Sequence, residues 1–192
     1  MKGRLLMAAL FVMANVVFGQ GTWTLDKAHS EIMFNVQHLV ISEVGGKFKD
    51  FDGVVKSEQE NFDGSAVEFR AMVHSISTEN EQRDSHLKSD DFFNAETYPE
   101  LSFKGELRKN GKDYVLKGQM TIRDITKPIE FNVKYNGIIT DPWGNTKAGF
   151  KITGTIDRFD YGLKWNTLME AGGAVVSSEV NIVCNIELQK QT

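Results

Sequence analysis

The chain has 192 residues, with 22 Lys+Arg against 26 Asp+Glu, four His and a formal charge of −4; 41% of its side chains are hydrophobic and 25% charged. Its 17 Gly and 3 Pro together fall below the roughly 12% of average usage, which excludes collagen-like, low-complexity and disordered classes. A mildly acidic chain without a basic run lacks the cationic footprint that favours a phosphate backbone, so nucleic acid is not an expected partner.

Lys2 and Arg4 precede an apolar stretch, residues 5–18, broken by Asn15 and followed by the small Gly19. This is the pattern of a secretory signal, so residues 1–19 are expected to be a signal peptide and 20–192 a single domain, periplasmic or secreted. As a helix the stretch would reach about 21 Å, short of the ~30 Å hydrocarbon core, so no stable membrane insertion is expected after cleavage. The single Cys184 cannot form an internal disulfide, and the fold must be held by its core.

From Ser30 onward the dominant signal is period-2 alternation. Ile32, Phe34 and Val36 alternate with Met33, Asn35 and Gln37, and a second strand covers residues 44–56. Val67, Phe69, Ala71 and Val73 mark a third strand, Leu101, Phe103, Gly105 and Leu107 a fourth, and Tyr114, Leu116, Gly118, Met120 and Ile122 a fifth. Ile129, Phe131, Val133 and Tyr135 give a sixth, Ala148, Phe150, Ile152, Gly154 and Ile156 a seventh, and Val180, Ile182, Cys184, Ile186 and Leu188 an eighth. Phe48 and Phe51 break parity around Lys49-Asp50, which predicts a bulge or strong bend. Asn110-Gly111 carries the signature of a type I′ hairpin, Asp63-Gly64 precedes the third strand, and Asp141-Pro142-Trp143-Gly144 separates the sixth from the seventh.

Alternation stops over residues 78–99. Thr78 and Glu81 have capping-box spacing for a short helix through about Lys88, and Ser89-Asp90-Asp91 could cap another turn carrying Phe92 and Phe93. The segment, a helical insertion near 79–93, is long enough to be a lid or binding loop, or a plug at one barrel end.

Eight antiparallel strands with one polar face must stack as two sheets or close on themselves, and closure removes exposed edges. The expected fold is therefore an all-β, eight-stranded antiparallel barrel whose apolar face points inward, either filled by its own side chains or open to one ligand.

The motifs L-D-K-A-H-S (25–30), Q-H-L (37–39), G-G-K-F (45–48), R-D-S-H-L-K-S-D-D-F-F (83–93), Y-P-E-L-S-F (98–103), G-Q-M-T-I-R-D-I-T-K-P-I (118–129) and D-R-F-D-Y-G-L (157–163) occur in this order. Together they resemble the YceI-like, polyisoprenoid-binding periplasmic family. The resemblance implies a lipocalin-like barrel with an apolar tunnel for an isoprenoid quinone, polyprenyl phosphate or similar long-chain amphiphile, no cofactor besides such a lipid, and a possible homodimer. Asp124 stands where the family more often has Gly, and Tyr161 where Phe is commoner.

On this reading the cavity wall comprises Phe34, Val36, Phe48, Phe69, Val73, Phe92, Leu101 and Phe103, continuing through Met120, Ile122, Phe131, Phe150, Ile152, Ile182 and Cys184. His29, His38, Arg83 and His86 are the candidates for a head group, since a guanidinium can pair with a phosphate or quinone oxygen. Asp26, His29 and Ser30 do not form a nucleophilic constellation, because neighbours on a strand face opposite ways. The four His, at 29, 38, 74 and 86, have no metal-ligand spacing, and no metal is expected. Arg158 and Asp160 are expected to brace one another or the neighbouring hairpin. The leading reading is a non-catalytic carrier; the alternatives are an enzyme acting on such a lipid through His38, His86 or Arg83, and a filled barrel acting through a protein partner.

Overall fold

The computed structural model describes residues 21–59, 61–167 and 175–191; the expected signal segment, 1–19, lies outside them. The strand segments are β1 (Gly21–Leu25), β2 (Glu31–His38), β3 (Ser42–Phe48), β4 (Phe51–Ser57), β5 (Ala66–Met72), β6 (Ile76–Ser77), β7 (Glu100–Asn110), β8 (Asp113–Ile122), β9 (Ile125–Thr140), β10 (Thr146–Asp157) and β11 (Val176–Lys190), with one α-helix, α1 (Glu81–Lys88). They form eight staves, because β1 and β2 are halves of one bent strand, as are β3 with β4 and β5 with β6. Thus β2 pairs with β3 while β1 pairs with β4, and β4 pairs with β5 while β3 pairs with β6. Every pairing is antiparallel, and β11 closes the barrel against β10 on one side and β1 and β2 on the other.

The parity break at Lys49-Asp50 is the bend between β3 and β4, where Phe48 and Phe51 both remain buried. The neighbouring stave breaks at the same level through a 3-10 turn, Val73–Ser75. Lys49 donates to the Ser75 carbonyl at 3.2 Å and Met72 to the Asp50 carbonyl at 2.9 Å, so backbone groups released by one bend satisfy those of the other.

Gly105 and Gly118 face one another across β7 and β8. A Cβ on Gly105 would lie 2.3 Å from the Lys117 carbonyl oxygen and 2.6 Å from Phe103 Cζ, and one on Gly118 would lie 2.3 Å from the Lys104 carbonyl oxygen. The close backbone approach and the Phe103 ring lying over it both require bare glycine.

One hairpin differs from expectation, and a second turn accommodates a missing glycine. Asn110 pairs with Asp113, so the hairpin loop is Gly111-Lys112 rather than Asn110-Gly111; Gly111, at φ 64°, is its left-handed residue, the placement of a II′ turn. In the β8–β9 turn the left-handed residue is Arg123 at φ 57°, so the missing glycine at Asp124 imposes no strain. The helix begins on Asn80 rather than Thr78: the Asn80 side chain accepts from the Arg83 N–H at 2.9 Å.

One barrel end is sealed by a group of aromatic rings. Phe62, from the β4–β5 connection, is 1% exposed and packs 5.0 Å from Trp23 and 5.1 Å from Phe150, with Tyr135 at 6.2 Å. Tyr114 joins the group and donates its hydroxyl to the Asn61 carbonyl, which pins the connection in place. At the other end stand α1, the β2–β3 hairpin and residues 158–165.

Candidate functional site

The inward faces of the staves enclose a cavity of about 700 Å³. Within its lining Phe34, Phe69, Ile152 and Ile182 are only half-buried despite facing inward, so the barrel is open inside rather than filled. Val36, Phe48, Phe92, Leu101, Phe103, Met120, Ile122, Phe131, Phe150 and Cys184 complete the part of the wall read from the sequence. Val73 is not part of it: the 3-10 turn breaks alternation just after Met72, and Val73 is buried outside the lining. Gly154 lies beneath Phe131, where a Cβ would come within 2.4 Å of the ring, so a small residue on β10 leaves room for a large one on β9.

Polar side chains gather at the open end. His38, Thr78, Asn80, Gln82, Arg83, His86 and Arg158 border the cavity there. Helix α1 buries none of its own residues and is tethered through Thr78. Arg83 Nε donates to Thr78 Oγ1 at 2.7 Å and Nη2 to the Thr78 carbonyl at 2.8 Å, while Asp84 Oδ1 accepts from the Thr78 N–H at 2.7 Å and hydroxyl at 2.5 Å. Among the described residues Arg83 forms no ion pair. His86 Nε2 lies 2.8 Å from Asp91 Oδ2, and its ring meets Phe92 and Trp165 edge-on at 5.1 and 4.9 Å. Trp165, which alternation could not reveal because it lies beyond the seventh strand, thus forms part of the mouth.

Arg158 is 3% exposed. Its guanidinium donates to the carbonyls of Ser177 at 2.8 Å, Leu163 at 2.5 Å, Trp165 at 2.8 Å and Val176 at 3.2 Å, stitching residues 158–165 to the start of β11. It does not brace Asp160, which pairs with Lys127 at 2.6 Å. Burial lowers the Arg158 pKa, partly offset by Asp157. Arg123 Nη1 donates to the Phe92 carbonyl at 3.2 Å, and its guanidinium lies 5.3 Å from the Tyr98 ring centre, holding the connection after α1 against the barrel.

His29 does not reach the cavity. It is exposed at the β1–β2 corner, with Nδ1 3.0 Å from Asp26 Oδ2. Asp26, His29 and Glu187 bring ligand atoms within 4.8 Å of one another, but Lys147 Nζ lies 2.5 Å from Asp26 and 3.2 Å from Glu187 and supplies the positive charge. Lys147 is the main cause of the Asp26 pKa falling to about 2. Cys184, on the cavity wall, has its thiol pushed up to about 12 by burial.

The family model for the YceI-like domain matches residues 23–188, all but the outermost residues of the barrel. This chain belongs to the YceI-like family. The UPF0312 protein SAS2572 of Staphylococcus aureus strain MSSA476 is 34% identical over 166 residues, covering 86% of this chain and 95% of that one. The YceI protein of Campylobacter jejuni superposes with a TM-score of 0.71 at 29% identity, covering 88% of this chain and 97% of that one. A polyisoprenoid binding domain from Saccharophagus degradans, implicated in plant cell wall breakdown, shares the fold with a TM-score of 0.64 at 15% identity, over 88% and 98% of the two chains. Among the described residues of this YceI-like barrel, no helix is long and apolar enough to cross a membrane.

Proposed function

We propose that this protein is a non-catalytic binding protein that holds one long-chain amphiphile, an isoprenoid or a lipid of similar length, for storage or transport outside the cytoplasm. The observation that carries the reading is the polarity of the cavity: an apolar tube of about 700 Å³, sealed by aromatic rings at one end and bordered by Arg83, His86 and His38 at the other. That volume falls within the ~300–1,000 Å³ typical of small-molecule sites. An apolar tail of about twenty carbons would gain more than ~10 kcal/mol gross on entering it, before the costs of association and ordering. Tail burial supplies affinity, and polar groups at the mouth select the head. The description of the Saccharophagus degradans domain as polyisoprenoid binding supports the same ligand class.

Mass spectrometry of organic extracts from the purified protein tests this reading. One long-chain lipid per chain is expected. Absence of any extractable lipid, together with no saturable uptake of a fluorescent prenol, would refute it, and conversion of the bound lipid on incubation would make the protein an enzyme.

A further inference from the structure

The hairpin between β2 and β3 ends on Leu39, Val40 and Ile41. Val40 is 61% and Ile41 85% exposed. Leu39 and Val40 hold φ angles of 52° and 66°, a left-handed conformation that crowds Cβ and is unfavourable above all for a β-branched residue. Hairpins normally place Gly, Asn or Asp there. This turn is nonetheless well built: Leu39 N–H donates to the Val175 carbonyl at 2.9 Å, Ile41 N–H to the His38 carbonyl at 3.2 Å and Gln37 Nε2 to the Val40 carbonyl at 3.2 Å. The fold therefore holds Val40 in water on a left-handed backbone, with Ile41 exposed beside it.

Their position gives them a use. The hairpin stem contributes Val36, His38 and Val44 to the cavity lining, and Val175, which holds the tip, lines it too. Because the opposite end is sealed by Phe62 and its neighbours, a molecule leaving the cavity lengthwise passes this tip. We propose that Leu39, Val40 and Ile41 form a docking element that enters the surface of a lipid bilayer, so that ligand passes between membrane and cavity without crossing water. The proposal rests on the reading of the cavity as a lipid site.

Two exposed side chains supply far less than the ~800 Å² per partner that a stable protein complex buries, whereas a fluid bilayer needs no matching surface and accepts apolar groups wherever they enter. Residues 39–42 carry no charge and no Lys or Arg cluster flanks them, so docking depends on apolar insertion and zwitterionic lipid suffices. Trp143, 84% exposed with Ile139 at 66%, lies on the β9–β10 hairpin at the sealed end and provides an internal control.

The test uses phosphatidylcholine vesicles, plain or carrying the fluorescent polyene cis-parinaric acid. The Val40→Ser/Ile41→Ser protein should take up the probe from vesicles at least fivefold more slowly than wild type and co-sediment less with plain vesicles. Its affinity for probe delivered from ethanol should be unchanged. Ile41→Ser alone, which leaves the left-handed positions untouched, should show a smaller loss in the same direction, and Trp143→Ser none. Equal uptake by folded wild-type and double-variant proteins would overturn the proposal, as would a loss in Trp143→Ser instead. If wild type fails to bind the probe from ethanol, the cavity reading fails for that probe, while equal sedimentation of wild type and double variant with plain vesicles would still overturn docking.

Discussion

Arg83 grips Thr78 twice, through the threonine hydroxyl at 2.7 Å and its backbone carbonyl at 2.8 Å, and Asp84 accepts from the same hydroxyl. A single buried threonine thus ties a helix with no buried residues of its own to the rim of the barrel. Hydrogen bonds to a charged group contribute ~1.5–3 kcal/mol. Arg83→Ala should therefore lower the melting temperature, and Thr78→Val should lower it by a similar amount. In a double-mutant cycle the two losses should fall short of additive, because both remove the same contact. Additive losses would leave Arg83 free of this tether and available wholly to a ligand.

Phe131 sits on the wall with Gly154 beneath its ring. Phe131→Ala should destabilise the fold by ~3 kcal/mol and widen the cavity, with weaker retention of extracted lipid in the folded fraction. Gly154→Val should push the ring inward and reduce lipid occupancy with a smaller stability loss than Phe131→Ala. Unchanged occupancy in both would remove Phe131 from the ligand wall.

The Asp26–Lys147 pair makes an acid-side prediction. The Asp26 carboxyl is held at about 2 against an ordinary 3.8, chiefly by the Lys147 hydrogen bond. A depressed carboxyl stabilises the fold above its unfolded value and loses that contribution as pH falls from near 4 toward 2. Lys147→Met should move the acid-unfolding midpoint to higher pH and cost on the order of 1 kcal/mol at neutral pH, allowing for solvent screening. His29 has the opposite sign: its pKa is raised by the hydrogen bond to Asp26, so its contribution is present below the ordinary imidazole value of 6.5 and disappears as pH rises through the raised one. Asp26→Asn should return the His29 titration, followed by proton resonances of the ring, toward 6.5.

Cys184 should be inert. With its thiol at about 12, almost no thiolate forms at pH 8, and the thiolate is the nucleophile. Native protein should resist iodoacetamide, and unfolding in guanidinium should release one reactive thiol. Rapid labelling of the native chain would show that reagents enter the cavity and that the thiol ionises there.

The eight staves were legible because each has one wet face, so alternation such as Phe131, Val133 and Tyr135 against Glu130, Asn132 and Lys134 records the barrel wall directly. The Phe48–Phe51 parity break located the main bend for the same reason. What alternation could not encode is whatever closes the ends. Phe62 looks like a lone aromatic in a polar turn, and its burial depends on Trp23, Tyr135 and Phe150, which lie far away in sequence. Asp160 takes the second of its two expected roles, bracing the neighbouring hairpin through Lys127 on β9 rather than pairing with Arg158. The Arg158 donors instead reach carbonyls on two segments that meet only after the barrel has closed. Thr78 looked like a helix cap by spacing, but its hydroxyl is taken by Arg83 and Asp84, and the cap falls to Asn80.

The aromatic seal makes the barrel a blind tube, and a blind tube measures what it holds. A chain of the proposed kind would advance only until its tip met Phe150, the ring of the seal that lines the cavity, with Phe62 packed behind it, so its length would decide whether the polar end came to rest level with Arg83 and His86, sank below them or was left standing in solvent. Only at one length would tail and head both find their matching surroundings. If the cavity holds the amphiphile proposed above, the sealed floor turns a nonspecific attraction for hydrocarbon into discrimination by chain length, and replacing Phe150 with a smaller apolar residue should shift the preferred length upward.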